Sequence, residues 1–297
     1  MRSKINPLFY ILVYLITVFS VFSCKKDTTS GVPAYIKIDK LTLVTDLKKE
    51  GSSSSSITDV WFFANGDDVG IFELPAEIPV LEEGNTNFSF FGGIQQSGVS
   101  GLRVAYSFYE TYKFDTTLIK ENTYTINPVL KYKSGVNFPW KEGFDDLSLS
   151  IDTTRESTVG ITRITHPDSV KEGKASMKVS MTVENPYFLA NSSETFSLPN
   201  QGEDVYLEFD YQTNSSIQLH IRSFDTDGFS VLIPVVLIKP KTDENGIPVW
   251  NKMYAFLSPY LARQAKAFKY QIYFESGIDV NATSRGYFMM DNIKIVY

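Results

Sequence analysis

Short runs in which apolar and polar residues alternate make up most of the chain, and this pattern predicts β-strands. Apolar residues recur at every second position in the segments 177–183, 205–211, 217–221 and 268–274. A strand with this period buries one face against a core and turns its other face outward. Stretches with a helical period are almost missing, so the sequence predicts an all-β fold.

The first half of the chain contains several such strands joined by tight turns. The clearest hairpin joins residues 57–64 to 68–74 through Asn65-Gly66, a dipeptide that tolerates the positive φ of a reversing turn. This density of short strands predicts an immunoglobulin-like or transthyretin-like β-sandwich over residues 34–132. Further strands of this sandwich are predicted at 35–45, 86–91, 102–110 and 123–130.

A polar, glycine-bearing segment at 131–137 divides the chain, so a second domain is predicted over residues 138–297. Residues 229–238 are apolar on both faces and are predicted to form a central strand. One short helix is predicted at 258–266, with Ser258 as its cap. Strands at the two ends of this domain would pair in a double-sheet jelly roll, which is the predicted fold of this half.

Two polar segments between strands are interpreted as a loop and a turn. The serine run 52–56 is interpreted as a mobile surface loop. Residues 225–228 (DTDG) resemble the opening of a calcium-binding loop, but Val236 stands where an EF-hand needs its bidentate Glu. A hairpin turn is therefore the better account of residues 225–228.

The amino terminus has the pattern of a signal peptide. Arg2 and Lys4 precede an apolar stretch at 8–22, which ends beside Cys24. A membrane-spanning helix needs about 20 apolar residues, and this stretch is shorter. We therefore predict a signal peptide over residues 1–23.

Residues 21–24 (VFSC) resemble the lipobox of bacterial lipoproteins. The resemblance implies that Cys24 is diacylated and anchors the chain to a membrane, with a polar tether over residues 24–33. Residues 25–27 (KKD) resemble the signal that sends lipoproteins of the Bacteroidetes to the outer face of the outer membrane. The implied location is the outer membrane, lipid-anchored and exposed at the cell surface. A periplasm-facing lipoprotein is the alternative.

Composition and motifs exclude several classes of function. The chain has 28 basic and 34 acidic side chains, a net charge of −6 and no basic run, which disfavours nucleic acid as a partner. Cys24 is the single cysteine, so neither an internal disulfide nor a cysteine-built zinc site can form. The motifs of serine hydrolases, zinc hydrolases and P-loop enzymes are missing, so we predict that the protein is not an enzyme. His220 alternates with Leu219 and Ile221 and is predicted to face solvent.

The second domain resembles a known family. The segments that carry the resemblance are 140–146 (WKEGFDD), 173–177 (GKASM), 205–211 (VYLEFDY) and 291–293 (DNI). They are similar to the galactose-binding-like jelly rolls of carbohydrate-binding modules and related surface domains. The order of the two domains, together with residues 60–84, is similar to a group of Bacteroidetes surface lipoproteins, which implies location and architecture but no activity.

An acidic cluster in the second domain is open to three interpretations. Glu142, Asp145 and Asp146 lie near the predicted first strand, and Asp291 lies on the last strand beside it. In the resembling family this place often holds a structural calcium ion, and four carboxylates with backbone carbonyls could supply its roughly six to eight oxygen ligands. A catalytic carboxylate pair, as in glycosidases, is the second interpretation. The third is that these acids are solvated or cap turns.

Aromatic side chains are the remaining candidates for ligand contact, because sugars rest their flat C–H faces against exposed rings. Tyr187 and Phe188 follow a proline. Trp250 follows a turn, and Trp140 begins the second domain. We therefore expect a non-catalytic surface lipoprotein that binds a glycan or another surface component through its jelly roll, and a structural calcium ion is the one candidate cofactor. The alternative is a structural or interaction subunit of an outer-membrane protein complex.

Overall fold

The computed structural model describes residues 31–297 of the chain. The predicted signal peptide, Cys24 and residues 25–30 of the predicted tether lie outside the described residues. Within residues 31–297, no helix is both long enough and apolar enough to cross a membrane. Strands make up almost all of the regular secondary structure of the described chain, as the alternating pattern predicts.

The first half of the chain forms three small sheets. Its elements are β1 (Ala34–Ile38), β2 (Thr42–Leu43), α1 (Leu47–Glu50), β3 (Asp59–Ala64), β4 (Asp67–Glu73), β5 (Ala76–Val80), β6 (Gly84–Gln95), β7 (Arg103–Ala105), β8 (Tyr112–Leu118), β9 (Thr123–Ile126) and β10 (Val129–Leu130). The long strand β6 pairs with β3, β7 and β8, and β3 also pairs with β4. β1 lies between β5 and β9, and β2 pairs with β10.

The predicted hairpin at Asn65-Gly66 is confirmed, because it joins β3 to β4 with φ of 52° and 90° at the two turn residues. The predicted strand at 102–110 is wrong beyond Ala105. The residues after β7 form a turn in which Tyr106 and Tyr109 are buried, because they pack into the core and against the second half of the chain. The immunoglobulin-like or transthyretin-like type of this half stays a prediction.

The second half is a double-sheet jelly roll. Its elements are β11 (Lys141–Glu142), β12 (Ile151–Thr153), β13 (Thr162–Ile164), β14 (Ser176–Thr182), β15 (Tyr187–Ser192), β16 (Tyr206–Thr213), β17 (Ile217–Asp225), β18 (Ser230–Ile238), β19 (Asn251–Phe256), α2 (Ser258–Leu261), β20 (Ala267–Gly277) and β21 (Arg285–Val296). The β16–β21 sheet has the order β13-β14-β21-β16-β19, with β11 also on β21. The β17–β20 sheet has the order β12-β15-β20-β17-β18.

The core of the jelly roll lies between these two sheets. Phe188 and Phe274 of one sheet are fully buried against Phe288 and Phe209 of the other, with ring centroids 5.2 and 5.6 Å apart. β11 pairs with β21, so the predicted pairing of the domain's two ends is confirmed.

Two sequence predictions for the second half are wrong. β18 is an edge strand of the β17–β20 sheet, and Val231 and Leu237 on it are 48% and 51% exposed. Pro234 suits this edge, because a proline cannot donate a hydrogen bond to a second neighbouring strand. The helix α2 ends at Leu261, and Ser258 is its first residue and makes no cap, because its hydroxyl accepts a hydrogen bond from the Val205 N–H.

The two halves pack directly against each other. Tyr206, Tyr254 and Val296 from the second half belong to the hydrophobic core of the first half. The predicted inter-domain segment is also tied down, because Asn137 and Tyr297 exchange two backbone hydrogen bonds of 2.6 and 3.1 Å. The outer face of the β16–β21 sheet is therefore covered by the first half. We call this interface the seam.

Candidate binding face

The outer face of the β17–β20 sheet carries polar and aromatic side chains on its central strands. Alternate residues of a strand point to opposite faces of a sheet, and Leu219 and Phe274 point into the core. Their neighbours in sequence therefore point away from it. The register places these outward residues side by side on β17 and β20 as three pairs: Gln218 with Glu275, His220 with Tyr273, and Arg222 with Gln271. These six residues, together with Tyr187 on β15, are called the open face.

His220 and Tyr187 both bind the carboxylate of Glu275. The Nε2 atom of His220 lies 2.6 Å from Oε2 of Glu275, and the Tyr187 hydroxyl donates a 3.1 Å hydrogen bond to Oε1. Burial and this hydrogen bond raise the pKa of Tyr187 to about 12. His220 points outward as predicted, but it is only 9% exposed. Its Nδ1 atom is buried and has no hydrogen-bond partner among the described residues.

Arg222 lies over the ring of Tyr273, with the guanidinium carbon 4.9 Å from the ring centroid. The Tyr273 hydroxyl donates to Gln271, and the Gln271 amide donates to the backbone carbonyl of Ser192. These hydrogen bonds hold the side chains of Tyr273 and Gln271 in one orientation. The Nε atom of Arg222 is a second buried polar atom without a hydrogen-bond partner among residues 31–297.

Apolar groups flank this polar centre. On one side, Leu232, Pro234 and Leu237 of β18 lie opposite Arg222, His220 and Gln218 of β17. On the other side lies the Tyr187 ring. The face thus combines hydrogen-bonding groups with aromatic and aliphatic surface, which is the combination that recognises polar ligands with apolar faces.

The open face contains one of the four aromatic residues that the sequence singled out. Tyr187 lies on it, whereas Phe188 points into the core and is fully buried. Trp140 is also buried, stacked on Phe196 at 5.6 Å, with its indole N–H donated to Ser150. Trp250 lies at the seam. The structure therefore does not bring the four together, and buried Phe188 and Trp140 offer no surface to a ligand.

Sequence reasoning missed the rest of the open face. It interpreted His220 only as a solvated side chain and assigned no role to Arg222, Tyr273 or Glu275. Their outward positions follow from the alternation at 217–221 and 268–274. Their pairing across β17 and β20 does not, because register depends on long-range contacts.

The predicted calcium ligands do not converge on one point. Both carboxylate oxygens of Glu142 accept hydrogen bonds from its own turn, from Phe144 N–H and from the N–H and hydroxyl of Ser150. Asp145 accepts from the Lys174 N–H. Among residues 31–297, no group of three or more His, Cys, Asp or Glu side chains is arranged to hold a metal ion. The geometry thus favours turn-capping for Glu142, and structural calcium stays an untested prediction.

Asp291, the fourth of these acids, is fully buried near the seam. Its carboxylate accepts hydrogen bonds from the Ser176 hydroxyl at 2.6 Å and from the N–H groups of Glu172 and Asn292. Burial raises its pKa to about 7, against these hydrogen bonds and with a smaller contribution from the charge of Asp210.

A network of charged residues lies buried at the seam. Glu208 accepts hydrogen bonds of 2.6 and 2.9 Å from the hydroxyls of Tyr106 and Tyr132, which belong to the first half. The ammonium groups of Lys252 and Lys294 each lie 3.8 Å from its other carboxylate oxygen. Burial lowers the pKa of Lys294 to about 8, although Glu208 opposes this shift. Glu208, Lys252 and Lys294 point outward from the β16–β21 sheet. The alternating pattern alone predicts that such outward residues face solvent.

The serine run 52–56 closes the seam, so its interpretation as a mobile surface loop is wrong. The Ser54 hydroxyl donates a 2.9 Å hydrogen bond to Asp210 of the jelly roll. The Ser56 N–H donates to the hydroxyl of Tyr254, and the Ser52 hydroxyl donates to the carboxylate of Glu172. The run therefore holds the two halves together through hydrogen bonds.

No protein-family model matches the sequence, and no curated protein matches it significantly. Among solved structures, the CBM22-1 xylan-binding domain of Xyn10C from Paenibacillus barcinonensis is similar, with 12% identity and a TM-score of 0.35 over 54% of this chain and 93% of that one. A structure described for the promiscuous specificity of carbohydrate-binding modules from the β-sandwich superfamily has 14% identity and a TM-score of 0.36, over 80% of this chain and 84% of that one. The enzymatically active domain of tailspike protein 4 from bacteriophage CBA120 has 16% identity and a TM-score of 0.36, over 52% of this chain and 20% of that one. At these values the similarity assigns neither a family nor a ligand to the chain.

Proposed function

We propose that the protein is a non-catalytic cell-surface lipoprotein, anchored through Cys24, whose jelly roll binds a glycan on the open face. The observation that carries the proposal is a pair of buried nitrogen atoms, Nδ1 of His220 and Nε of Arg222, which lie two residues apart on β17 and have no hydrogen-bond partner within residues 31–297. A buried polar atom without a partner costs about 1–3 kcal/mol. Hydroxyl groups of a bound ligand would satisfy both atoms and recover this cost.

A glycan fits the remaining chemistry of the open face. Its hydroxyl groups both donate and accept, which suits the carboxylate of Glu275, the amide of Gln271 and the guanidinium of Arg222. Its C–H faces suit the rings of Tyr187 and Tyr273.

Binding to an array of oligosaccharides tests this proposal, using the chain without its signal peptide and with Cys24→Ser. We expect a double variant, His220→Ala with Arg222→Ala, to lose at least about tenfold in affinity, because each side chain provides ligand contacts at the centre of the face. Lys113→Ala, an exposed change on β8, is the matched control and should bind normally. A flat array, or equal binding by the double variant, would refute the proposal.

The anchor is tested separately by metabolic labelling with palmitate. Labelling is expected in the wild-type chain and not in Cys24→Ser, because the thiol of this cysteine is the attachment point of the lipid. Absence of label in the wild-type protein would refute the lipid anchor, but it would not affect the proposal that the open face binds a glycan.

The edge strand β18 favours a second function, that of an interaction subunit in an outer-membrane complex. Phe229, beside the strand, is 73% exposed, and Val231 and Leu237 are about half exposed. An exposed apolar edge is a template for pairing with a partner chain. Under this alternative, Phe229→Lys with Val231→Lys abolishes co-purification of a partner from membranes but leaves glycan binding unchanged, because neither residue belongs to the open face. Lys239→Ala serves as the control.

A further inference from the structure

The seam contains a polar cavity that the glycan-binding proposal does not use. It lies between the serine run of the first half and strands β16 and β19 of the jelly roll, and its volume is about 170 Å³. A water molecule occupies roughly 30 Å³ of liquid, so the cavity has room for about six waters or one small organic molecule. The residues that line the cavity include Ser54, Ser55, Lys171, Lys241, Trp250 and Lys252.

Two hydrogen-bond donors of the cavity are buried without a partner. The indole Nε1 of Trp250 and the Nζ of Lys252 make no hydrogen bond to any described residue. The Lys252 side chain is 2% exposed, and its ammonium lies 3.7 Å from Asp210 and 3.8 Å from Glu208, beyond hydrogen-bonding distance. An acceptor placed beside these two donors would therefore stabilise the folded protein.

The charge at the cavity favours an anionic acceptor. Lys171 and Lys241 lie at its exposed rim, and neither forms a salt bridge with any residue of the described chain. The acid lining the cavity, Asp210, is already engaged, because its two oxygens accept hydrogen bonds from Ser54 and Asn292. The lining therefore offers positive charge and N–H groups that have no hydrogen-bond acceptor among the described residues.

The other lining groups add hydroxyl and amide functions from Ser55, Gln95 and Asn251. Such groups recognise the hydroxyls of a ligand, whereas an inorganic anion needs only positive donors. We propose that the seam cavity binds a small polyhydroxylated carboxylate of the sugar-acid class, with its carboxylate held by Lys171, Lys241 and the Trp250 indole N–H. The site is complete only when the two halves are joined, because the serine run and Lys252 come from different halves.

Titration with D-glucuronate, followed by tryptophan fluorescence and by calorimetry, tests this inference. D-glucose and sulfate are the comparison ligands, because glucose lacks the carboxylate and sulfate lacks the hydroxyls. We expect saturable binding of glucuronate only. A double variant, Lys171→Gln with Lys241→Gln, should weaken the affinity at least about tenfold, since it removes both rim charges.

A second double variant, Lys174→Gln with Lys239→Gln, is the matched control. It removes the same net charge from exposed lysines that do not line the cavity, and it should bind glucuronate normally. Equal weakening in the two double variants, equal binding of sulfate or glucose, or no saturable signal would each overturn the inference. The His220→Ala, Arg222→Ala variant separates the two sites, because lost glucuronate binding there would assign the ligand to the open face instead.

Discussion

The two outer faces of the jelly roll start from the same alternating pattern and end in different environments. On the β16–β21 sheet, Glu208 and Asp210 alternate with buried apolar residues, and both are almost completely buried at the seam. On the β17–β20 sheet, His220 and Arg222 alternate with buried apolar residues in the same way, but the partners of their side chains among residues 31–297, Glu275 and Tyr273, belong to the same sheet and not to the first half. The difference between the two faces comes from what packs against each sheet, and not from the strands themselves.

What covers the first of these faces is a set of tyrosines from the first half. Tyr106 and Tyr132 reach Glu208 with their hydroxyls, and the ring of Tyr132 lies 4.7 Å from the Lys294 ammonium. A buried charge is tolerable only when it is paired and hydrogen-bonded. The covered face therefore joins the two halves, whereas the open face keeps two buried nitrogen atoms that have no partner in the described part of the chain and that a ligand can bind.

Removing one carboxylate from each face gives the largest expected contrast. Glu208→Gln should cost about 3–5 kcal/mol of unfolding free energy, because it leaves the Lys294 ammonium buried without its acidic partner. Glu275→Gln should cost about 0–1 kcal/mol, because that side chain is one-third exposed and its hydrogen bonds to His220 and Tyr187 compete with solvent. Urea denaturation of both variants measures the difference. Similar losses would show that the two faces are not energetically distinct.

The covered face should also carry a pH dependence that centres on Asp291. Its pKa is about 7 in the folded protein, against an ordinary value of 3.8. Between about pH 4 and pH 7 the unfolded chain has released this proton while the folded chain retains it. Stability should therefore fall as pH rises through this window, by at most about 1.4 kcal/mol per unit.

Denaturation midpoints at several pH values test this slope. Asp291→Asn should flatten it, since the amide does not titrate, and Asp146→Asn is the exposed control that should preserve it. An unchanged slope in Asp291→Asn would mean that another group carries the pH dependence.

The smallest effect concerns the serine run that closes the seam. Ser54→Ala should cost about 1 kcal/mol, because it removes the hydrogen bond to the buried carboxylate of Asp210. Ser53→Ala should stay within about 0.5 kcal/mol, because this neighbour is exposed and its hydroxyl makes no hydrogen bond within the described residues. Equal midpoints for the two variants would contradict the role of the run at the seam.

Sequence reasoning succeeded where local rules apply and failed where distant segments meet. The turn at Asn65-Gly66 was predictable because positive φ is a local property of those residues. The pattern of β18, which is apolar on both faces, predicts a strand at the centre of its sheet. Which strands flank it depends on pairing across the whole domain, and that pairing leaves it at the edge.

The candidate site shows the same division. Tyr187 and the outward direction of His220 were predictable from sequence, whereas the approach of Glu275 to both residues was not, because it lies far along the chain. The sequence predicts Phe188 as a ligand contact because it follows Pro186 by two residues. Its side chain points inward because it is one residue out of phase with Tyr187 on the same strand.

The sequence by itself determined that this chain is built of strands and which residues of each strand point away from the core, because side-chain direction alternates with a period of two. Only the tertiary structure decided which outward residues meet solvent and which meet the other half of the protein. Covering a sheet is a matter of long-range packing, and the same alternation is compatible with a buried charge network and with an open binding face.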